Sequence, residues 1–106
     1  MVATARAGLV PPFKPDVIGM DGAPAEVIAW AVDRMRPMPV AVLEQPLRLT
    51  GAGASLPHTY VWCTQSGYGR VAARARADGW DYRELDSPHC AMLVVPEQLT
   101  DLLLSL

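Results

Sequence analysis

The fold is decided by residues 59–85, which read TYVWCTQSGYGRVAARARADGWDYREL. Residues 59–64 are mostly apolar, β-branched or aromatic without alternation, which predicts a strand covered on both faces, as in a parallel sheet. Residues 70–78 are rich in Ala and Arg and predict a helix, with Gly79 at the position past its end. Residues 80–85 alternate between two faces, which is typical of an edge strand.

A further helix is predicted after these two strands. It begins at Pro96, and four leucines share one stripe at the i, i+3, i+4, i+7 spacing of a core-facing helix: Leu99, Leu102, Leu103 and Leu106. The order strand–helix–strand–helix predicts a βαβ unit with parallel strands. Because an open sheet of this type has about 4–6 strands, residues 57–106 are interpreted as the last edge of a larger α/β sheet.

Residues 1–56 predict a separate, less regular part of the chain. Prolines and glycines in residues 1–22 indicate irregular backbone. A helix is predicted from Pro24 to Met35, because Val27, Ile28, Ala31 and Met35 form one apolar stripe. Trp30 is interpreted as a packing residue. Residues 40–49 are apolar but contain a proline, which leaves their structure ambiguous. Residues 50–55 indicate a flexible connector.

Composition narrows the classes of partner. The 106 residues are 51% apolar and carry a net charge of −2, without a cluster of Lys or Arg, so no nucleic-acid partner is expected. No signal peptide and no apolar stretch of about 20 residues is present, which predicts no membrane span. Cys63 and Cys90 make no disulfide framework and fit a reducing cytoplasm. The high apolar fraction of so short a chain suggests a protein partner or a homo-oligomer.

His89 is the candidate functional residue. It lies on the loop between the strand at 80–85 and the helix at Pro96, where an imidazole is well placed to act as a general base. His58 is interpreted as a surface residue. Zinc could in principle use both histidines and both cysteines, but their spacings match no zinc signature. Neither a metal nor a cofactor is expected.

Three runs of sequence carry a resemblance to a known family: TYVWCT at 59–64, Gly79 with Trp80, and above all HCAMLVVPEQL at 89–99. They resemble the C-terminal part of the α/β-hydrolase superfamily, in the branch of methylesterases, salicylate esterases and hydroxynitrile lyases. The run AWAVDRMRPMP at 29–39 looks like the end of the helical cap of that family. The fold implied is the C-terminal βαβα portion of an α/β-hydrolase, an incomplete sheet preceded by the end of the cap.

The resemblance implies a role for each site residue. His89 would take a proton from a serine in a Gly-x-Ser-x-Gly motif and later activate water. These 106 residues contain no such motif, so the resemblance implies a serine and an oxyanion hole on a preceding segment. The catalytic acid of the family matches Ser66 here, and Asp86 is the substitute candidate beside its alternative reading as a turn residue. Cys90 would border the substrate pocket.

The sequence favours two alternative functions for this chain. The first is a truncated or split esterase-like hydrolase that contributes the triad histidine, acts on a small ester once an N-terminal half completes it, and is inactive alone. The alternative is a non-catalytic small α/β protein that associates with a partner chain through its exposed sheet edge. Ester hydrolysis and cyanohydrin cleavage share the fold and the triad, so the resemblance names no substrate.

Overall fold

The computed structural model describes residues 8–106, where the chain forms two two-stranded sheets and five α-helices in a mixed α/β arrangement. In chain order the elements are β1 (Leu9–Val10), α1 (Ala25–Arg34), β2 (Met38–Pro39), α2 (Ala41–Glu44), β3 (Thr59–Cys63), α3 (Gly69–Ala77), β4 (Asp81–Leu85), α4 (Ala91–Val94) and α5 (Pro96–Leu104). A 3-10 turn at Ala52–Ser55 occupies the predicted connector.

The predicted strand–helix–strand unit is confirmed. Strands β3 and β4 pair in parallel, with a register that runs from Thr59 opposite Asp81 to Cys63 opposite Leu85. Helix α3 packs against both strands and buries its alanines Ala72 and Ala75. The helix ends at Ala77, and Gly79, just past the C-cap Asp78, has a φ of +79°, the left-handed conformation that a glycine adopts without steric cost.

The predicted burial of β3 on both faces is wrong for this chain. Its first residue is exposed and the other four are only half-buried. The physical reason is the size of the sheet, since β4 is the single neighbour of β3 among residues 8–106. The Trp62 side chain on β3 also keeps a buried indole N–H for which the described residues provide no acceptor. An unpaired buried donor is unfavourable. The residue types of β3 therefore suit a strand with more neighbours than the described residues provide.

The C-terminal helix differs from its prediction in the same way. Leu99 and Leu102 of the predicted stripe are half-buried, whereas Leu103 and Leu106 remain 53% and 55% exposed. The described part of α5 buries no residue and contacts mainly α4, a short helix that the sequence did not predict. The prediction of a core-facing stripe is therefore wrong for half of its members, because the two-stranded sheet is too small to cover the helix.

The N-terminal part is ordered around α1. The predicted helix is confirmed, and its apolar stripe is buried or half-buried, centred on Ala31. The interpretation of Trp30 as a packing residue is wrong, because this side chain is 55% exposed and stacks under the Arg34 guanidinium at 4.6 Å. Strand β1, which lies in the segment 1–22 predicted to be irregular, pairs with β2 in an antiparallel ladder. Residues 1–7 of that segment lie outside the described residues.

The chain exposes much surface for its mass. Its accessible area is 8,064 Å², about 2,300 Å² more than a folded monomer of 11.5 kDa ordinarily exposes. The radius of gyration is 16.2 Å, against about 13 Å for a typical domain of this length. The fully buried apolar residues of the described part are few and mostly small: Val10, Met20, Ala31, Ala72, Ala75 and Ala91.

Candidate functional site

His89 lies at the carboxyl end of the parallel strand pair. Strand β4 ends at Leu85, a five-residue loop follows from Asp86 to Cys90, and α4 begins at Ala91. The imidazole is exposed. In open α/β sheets, ligands bind in crevices at the carboxyl ends of the strands, so the fold places His89 where a reactive side chain is useful.

Backbone hydrogen bonds tie the His89 loop to the end of β3. The Thr64 N–H donates to the Leu85 carbonyl at 2.9 Å, and the Gln65 N–H donates to the Ser87 carbonyl at 3.1 Å. Ser87 is the most deeply buried polar residue, at 1% exposure, and its hydroxyl donates to the Pro88 carbonyl. The loop is therefore fixed along the continuation of the parallel ladder and does not project freely.

A turn at residues 15–19, the N-terminal turn, packs against the other side of this loop. The Cys90 N–H donates to the Gly19 carbonyl at 3.0 Å, and the Cys90 thiol donates to the Ile18 carbonyl at 3.1 Å. Gly19 has a φ of +76°, and a Cβ there would lie 2.7 Å from the backbone nitrogen of His89. The close approach requires glycine. Sequence reasoning missed this contact, because nothing local links residues that are 72 positions apart.

The turn and the two strand ends enclose an open groove of about 590 Å³ with His89 on its wall. The N-terminal turn and the residues beside it contribute apolar side chains and two carboxylates, whereas the strand ends contribute mainly polar side chains. The lining residues include Phe13, Asp16, Val17, Ile18, Asp21, Gln65, Ser66, Tyr68 and Cys90. The predicted candidates Cys90 and Ser66 thus share one groove with His89, while Asp16, Asp21 and Tyr68 are groove residues that the sequence analysis did not single out.

Tyr68 contacts the His89 side chain directly. The two ring centroids are 4.9 Å apart and the ring planes are inclined by 38°. Tyr68 lies between two glycines in the turn after β3, immediately before α3. An aromatic residue in a glycine-rich turn at a strand's carboxyl end is the one sequence signal that could have identified it.

The Asp86 carboxylate makes its hydrogen bonds away from the imidazole. Its Oδ1 accepts from the Gln65 side-chain amide at 3.0 Å and from the Thr64 hydroxyl at 3.1 Å. These two donors hold the pKa of Asp86 below its ordinary value of 3.8. Within residues 8–106, no hydrogen bond or ion pair joins Asp86 to the His89 imidazole. The carboxylate links the two strand ends in this structure.

Ser66, which the resemblance matches to a catalytic acid, makes its hydrogen bonds to the backbone of its own turn. Its hydroxyl donates to the Cys63 carbonyl at 2.7 Å, and its N–H donates to the same oxygen. Serine carries no charge with which to stabilise an imidazolium, and here its proton is already in use. Ser66 therefore borders the groove without holding His89.

The two thiols are neutral neighbours of the site. Burial raises the pKa of both Cys63 and Cys90, and for Cys90 the nearby Cys63 thiol adds to the increase. The thiolate is the nucleophilic form of cysteine, so raised pKa values oppose a nucleophilic role. The Cys90 thiol donates to a backbone carbonyl, which makes it a structural contact and a wall of the groove.

Other sites find little support in the described part of the chain. His58 stacks on Trp80 with ring centroids 4.5 Å apart, away from the groove. Among residues 8–106, no three His, Cys, Asp or Glu side chains are grouped as metal ligands. No helix in that same range has the length and apolar character needed to cross a membrane.

Comparisons with known proteins add no relative. No family model, curated protein or solved structure matches this chain. The resemblance to the α/β-hydrolase superfamily accordingly rests on residue patterns alone, above all those at 59–64 and 89–99. Chemically, the groove presents the exposed His89, apolar side chains, the carboxyl groups of Asp16 and Asp21 and the Cys90 thiol. An imidazole in such a place can exchange a proton with a group that binds beside it.

Proposed function

We propose that this chain supplies the histidine base of an esterase-like serine hydrolase site, as the C-terminal part of an α/β-hydrolase sheet. The observation that carries the proposal is the position of His89. It stands at the carboxyl ends of two parallel strands, on the wall of an open groove, in a loop fixed on both sides by hydrogen bonds. The sequence HCAMLVVPEQL around it resembles the histidine segment of that family.

Each step of the proposed reaction follows from the proton that His89 can hold. The imidazole takes the proton of a serine hydroxyl as the serine attacks the ester carbonyl, and returns it to the leaving alcohol. It then takes a proton from the water that attacks the acyl-enzyme, and gives it to the serine oxygen as the bond between that oxygen and the acyl group breaks. The 106 residues contain no Gly-x-Ser-x-Gly motif, so the serine and the oxyanion hole come from polypeptide that joins this sheet. The chain alone is expected to be inactive.

The remaining site residues take supporting roles. Cys90 borders the groove and would contact the substrate as a neutral thiol. Asp86 is the acid candidate of the loop, since its lowered pKa keeps the carboxylate ionised. To orient His89, this carboxylate would have to leave Thr64 and Gln65, its present hydrogen-bond donors.

The free edge of β3 is where the completing polypeptide is expected to bind. The Asp81 N–H donates to the His58 carbonyl, and the Thr64 N–H donates to the Leu85 carbonyl. The even-numbered residues of this strand therefore direct their backbone groups toward β4. Because alternate residues of a strand direct their backbone groups to opposite sides, Thr59 and Val61 direct theirs away from β4. No residue of β3 is charged, whereas β4 carries three charged residues. Charged residues protect a sheet edge from pairing, which leaves β3 as the edge that is open to pairing.

The second candidate function is association without catalysis. Its supporting observation is the excess of about 2,300 Å² of exposed surface, which exceeds the roughly 800 Å² that each partner buries in an interface of standard size. The same edge of β3 would then bind a partner chain or a second copy, and His89 would be a structural remnant.

A labelling experiment separates the two candidates. The full chain is tagged in its native source, purified with whatever remains bound, and treated with a fluorophosphonate that reacts with activated serines. The hydrolase proposal predicts a labelled polypeptide that co-purifies, with labelling lost in His89→Ala and kept in His58→Ala. Both variants should retain the co-purifying polypeptide. Labelling that survives His89→Ala, or a bound polypeptide that never labels, would favour association without catalysis.

A further inference from the structure

We infer that Tyr68 is a positioning residue that holds the His89 imidazole by ring stacking, in the role that a carboxylate usually has. The relevance of this contact to catalysis rests on the proposed function, but the contact itself does not. The ring centroids lie 4.9 Å apart with an inclination of 38°. That separation is within the range at which aromatic rings attract one another in offset or tilted geometries.

The need for such a residue follows from the hydrogen bonds of the His89 imidazole, for which residues 8–106 provide no partner. An imidazole on an exposed loop has several rotamers, and a hydrogen-bonded carboxylate ordinarily selects one of them. Here the Asp86 carboxylate accepts from Thr64 and Gln65, and the Ser66 hydroxyl donates to a backbone carbonyl. The Tyr68 ring is the aromatic side chain that contacts the imidazole within the described residues.

Tyr68 is itself well anchored. Its carbonyl accepts the Ala72 N–H at 3.0 Å, so its backbone is held by the first turn of α3. That helix packs on both strands of the parallel sheet. The Tyr68 residue is 49% exposed, and its ring extends from this held backbone to the His89 imidazole. Stacking covers a face and leaves the ring nitrogens, which lie in the ring plane, free to exchange protons toward the groove.

The inference predicts a defined loss when the ring is removed. Stacking of this kind should bias the His89 rotamer population by about two- to tenfold. Tyr68→Phe keeps the ring and should keep the bias. Tyr68→Leu keeps an apolar side chain of moderate size but removes the ring, so the imidazole should sample its other rotamers.

Nuclear magnetic resonance of the histidine imidazole groups in the full chain tests this without any activity. The signals of His58, which stacks on Trp80 instead, report whether a variant is folded. We expect cross-relaxation between the Tyr68 and His89 ring protons, and a ring-current shift of the His89 signals. Tyr68→Leu should abolish that shift, and Tyr68→Phe should preserve it, with His58 unchanged in both.

The outcomes distinguish this inference from the proposed function. If the His89 signals are the same in Tyr68→Leu as in the original chain, or if the two rings show no cross-relaxation, Tyr68 does not position His89. If Tyr68→Leu fails to fold, the cross-relaxation of the original chain and the Tyr68→Phe spectrum decide. Confirmed stacking, together with fluorophosphonate labelling that is indifferent to His89→Ala, would overturn the hydrolase proposal and leave the positioning contact in place.

Discussion

Replacing Gly19 with alanine tests whether the N-terminal turn is part of the His89 site. A residue with a Cβ pays about 1–2 kcal/mol to adopt the left-handed conformation of Gly19, whose φ is +76°. In addition, the new Cβ would lie 2.7 Å from the His89 backbone nitrogen, so the turn must move. Movement breaks the two hydrogen bonds from Cys90 to Gly19 and Ile18, which adds about 1–2 kcal/mol.

The chain offers a matched control for the conformational part of this effect. Gly51 has a φ of +80°, but a Cβ there would meet nothing within 4 Å. Gly51→Ala should therefore show the cost of the left-handed conformation alone. The difference between the two variants, about 1–2 kcal/mol, measures the contact between the turn and the His89 loop.

The reactivity of the Cys90 thiol provides the assay. In a Cys63→Ser background, the rate at which a disulfide reagent modifies Cys90 reports how often the turn opens. We expect Gly19→Ala to raise this rate about 5- to 30-fold relative to Gly51→Ala, from the free-energy difference above. Equal rates in the two variants would refute the reasoning, because the turn would then not be docked on the His89 loop.

Two further predictions follow from the same contacts. Because the folded-state pKa of Asp86 is lowered, its contribution to stability is present above the ordinary pKa of 3.8 and is lost as the pH falls through the folded-state value. In urea unfolding, Asp86→Asn should therefore lose less stability below about pH 4 than the original chain does. The same pH profile in both proteins would contradict the assigned hydrogen bonds. The Val61 N–H faces the free edge of β3, so it should exchange with deuterium much faster than the Trp62 N–H in the isolated chain and become protected on binding of the completing polypeptide. Equal protection of both amides in the isolated chain would show that the edge is already paired.

The parts of the fold that the sequence predicted are those with local causes. The parallel strands, α3 and Gly79 follow from residue type, periodicity and the steric freedom of glycine, all within residues 59–85. The βαβ connection follows from their order. The prediction of α1 depended on an apolar stripe within one helix, and it was confirmed for the same reason.

The predictions of burial were less successful, and the reason is physical. The apolar run of β3 and the leucine stripe of α5 indicate faces that are covered, but the described chain provides too few elements to cover them. Residue patterns report which faces avoid water, not which polypeptide covers them. The half-buried β3 and the exposed Leu103 and Leu106 are therefore the observations that most favour a partner.

The composition of the site was only partly predictable. His89 and Cys90 stood out by sequence, and the structure places both on one groove. The N-terminal turn, Tyr68 and the hydrogen bonds of Asp86 depend on contacts between distant residues, which no local pattern encodes. The acid is the residue that sequence and structure specify least, since Ser66 and Asp86 both make their hydrogen bonds elsewhere.

Chemical rescue tests the central claim, that His89 is the base that activates a serine. The rate of fluorophosphonate labelling is measured on the protein as purified from its native source, for the original chain and for His89→Ala, with and without added imidazole. We predict that His89→Ala lowers the rate about a hundredfold or more, and that free imidazole restores part of it, while His58→Ala changes nothing. Labelling at the original rate in His89→Ala, or a loss that imidazole fails to relieve at any concentration, would contradict a proton-accepting role for His89.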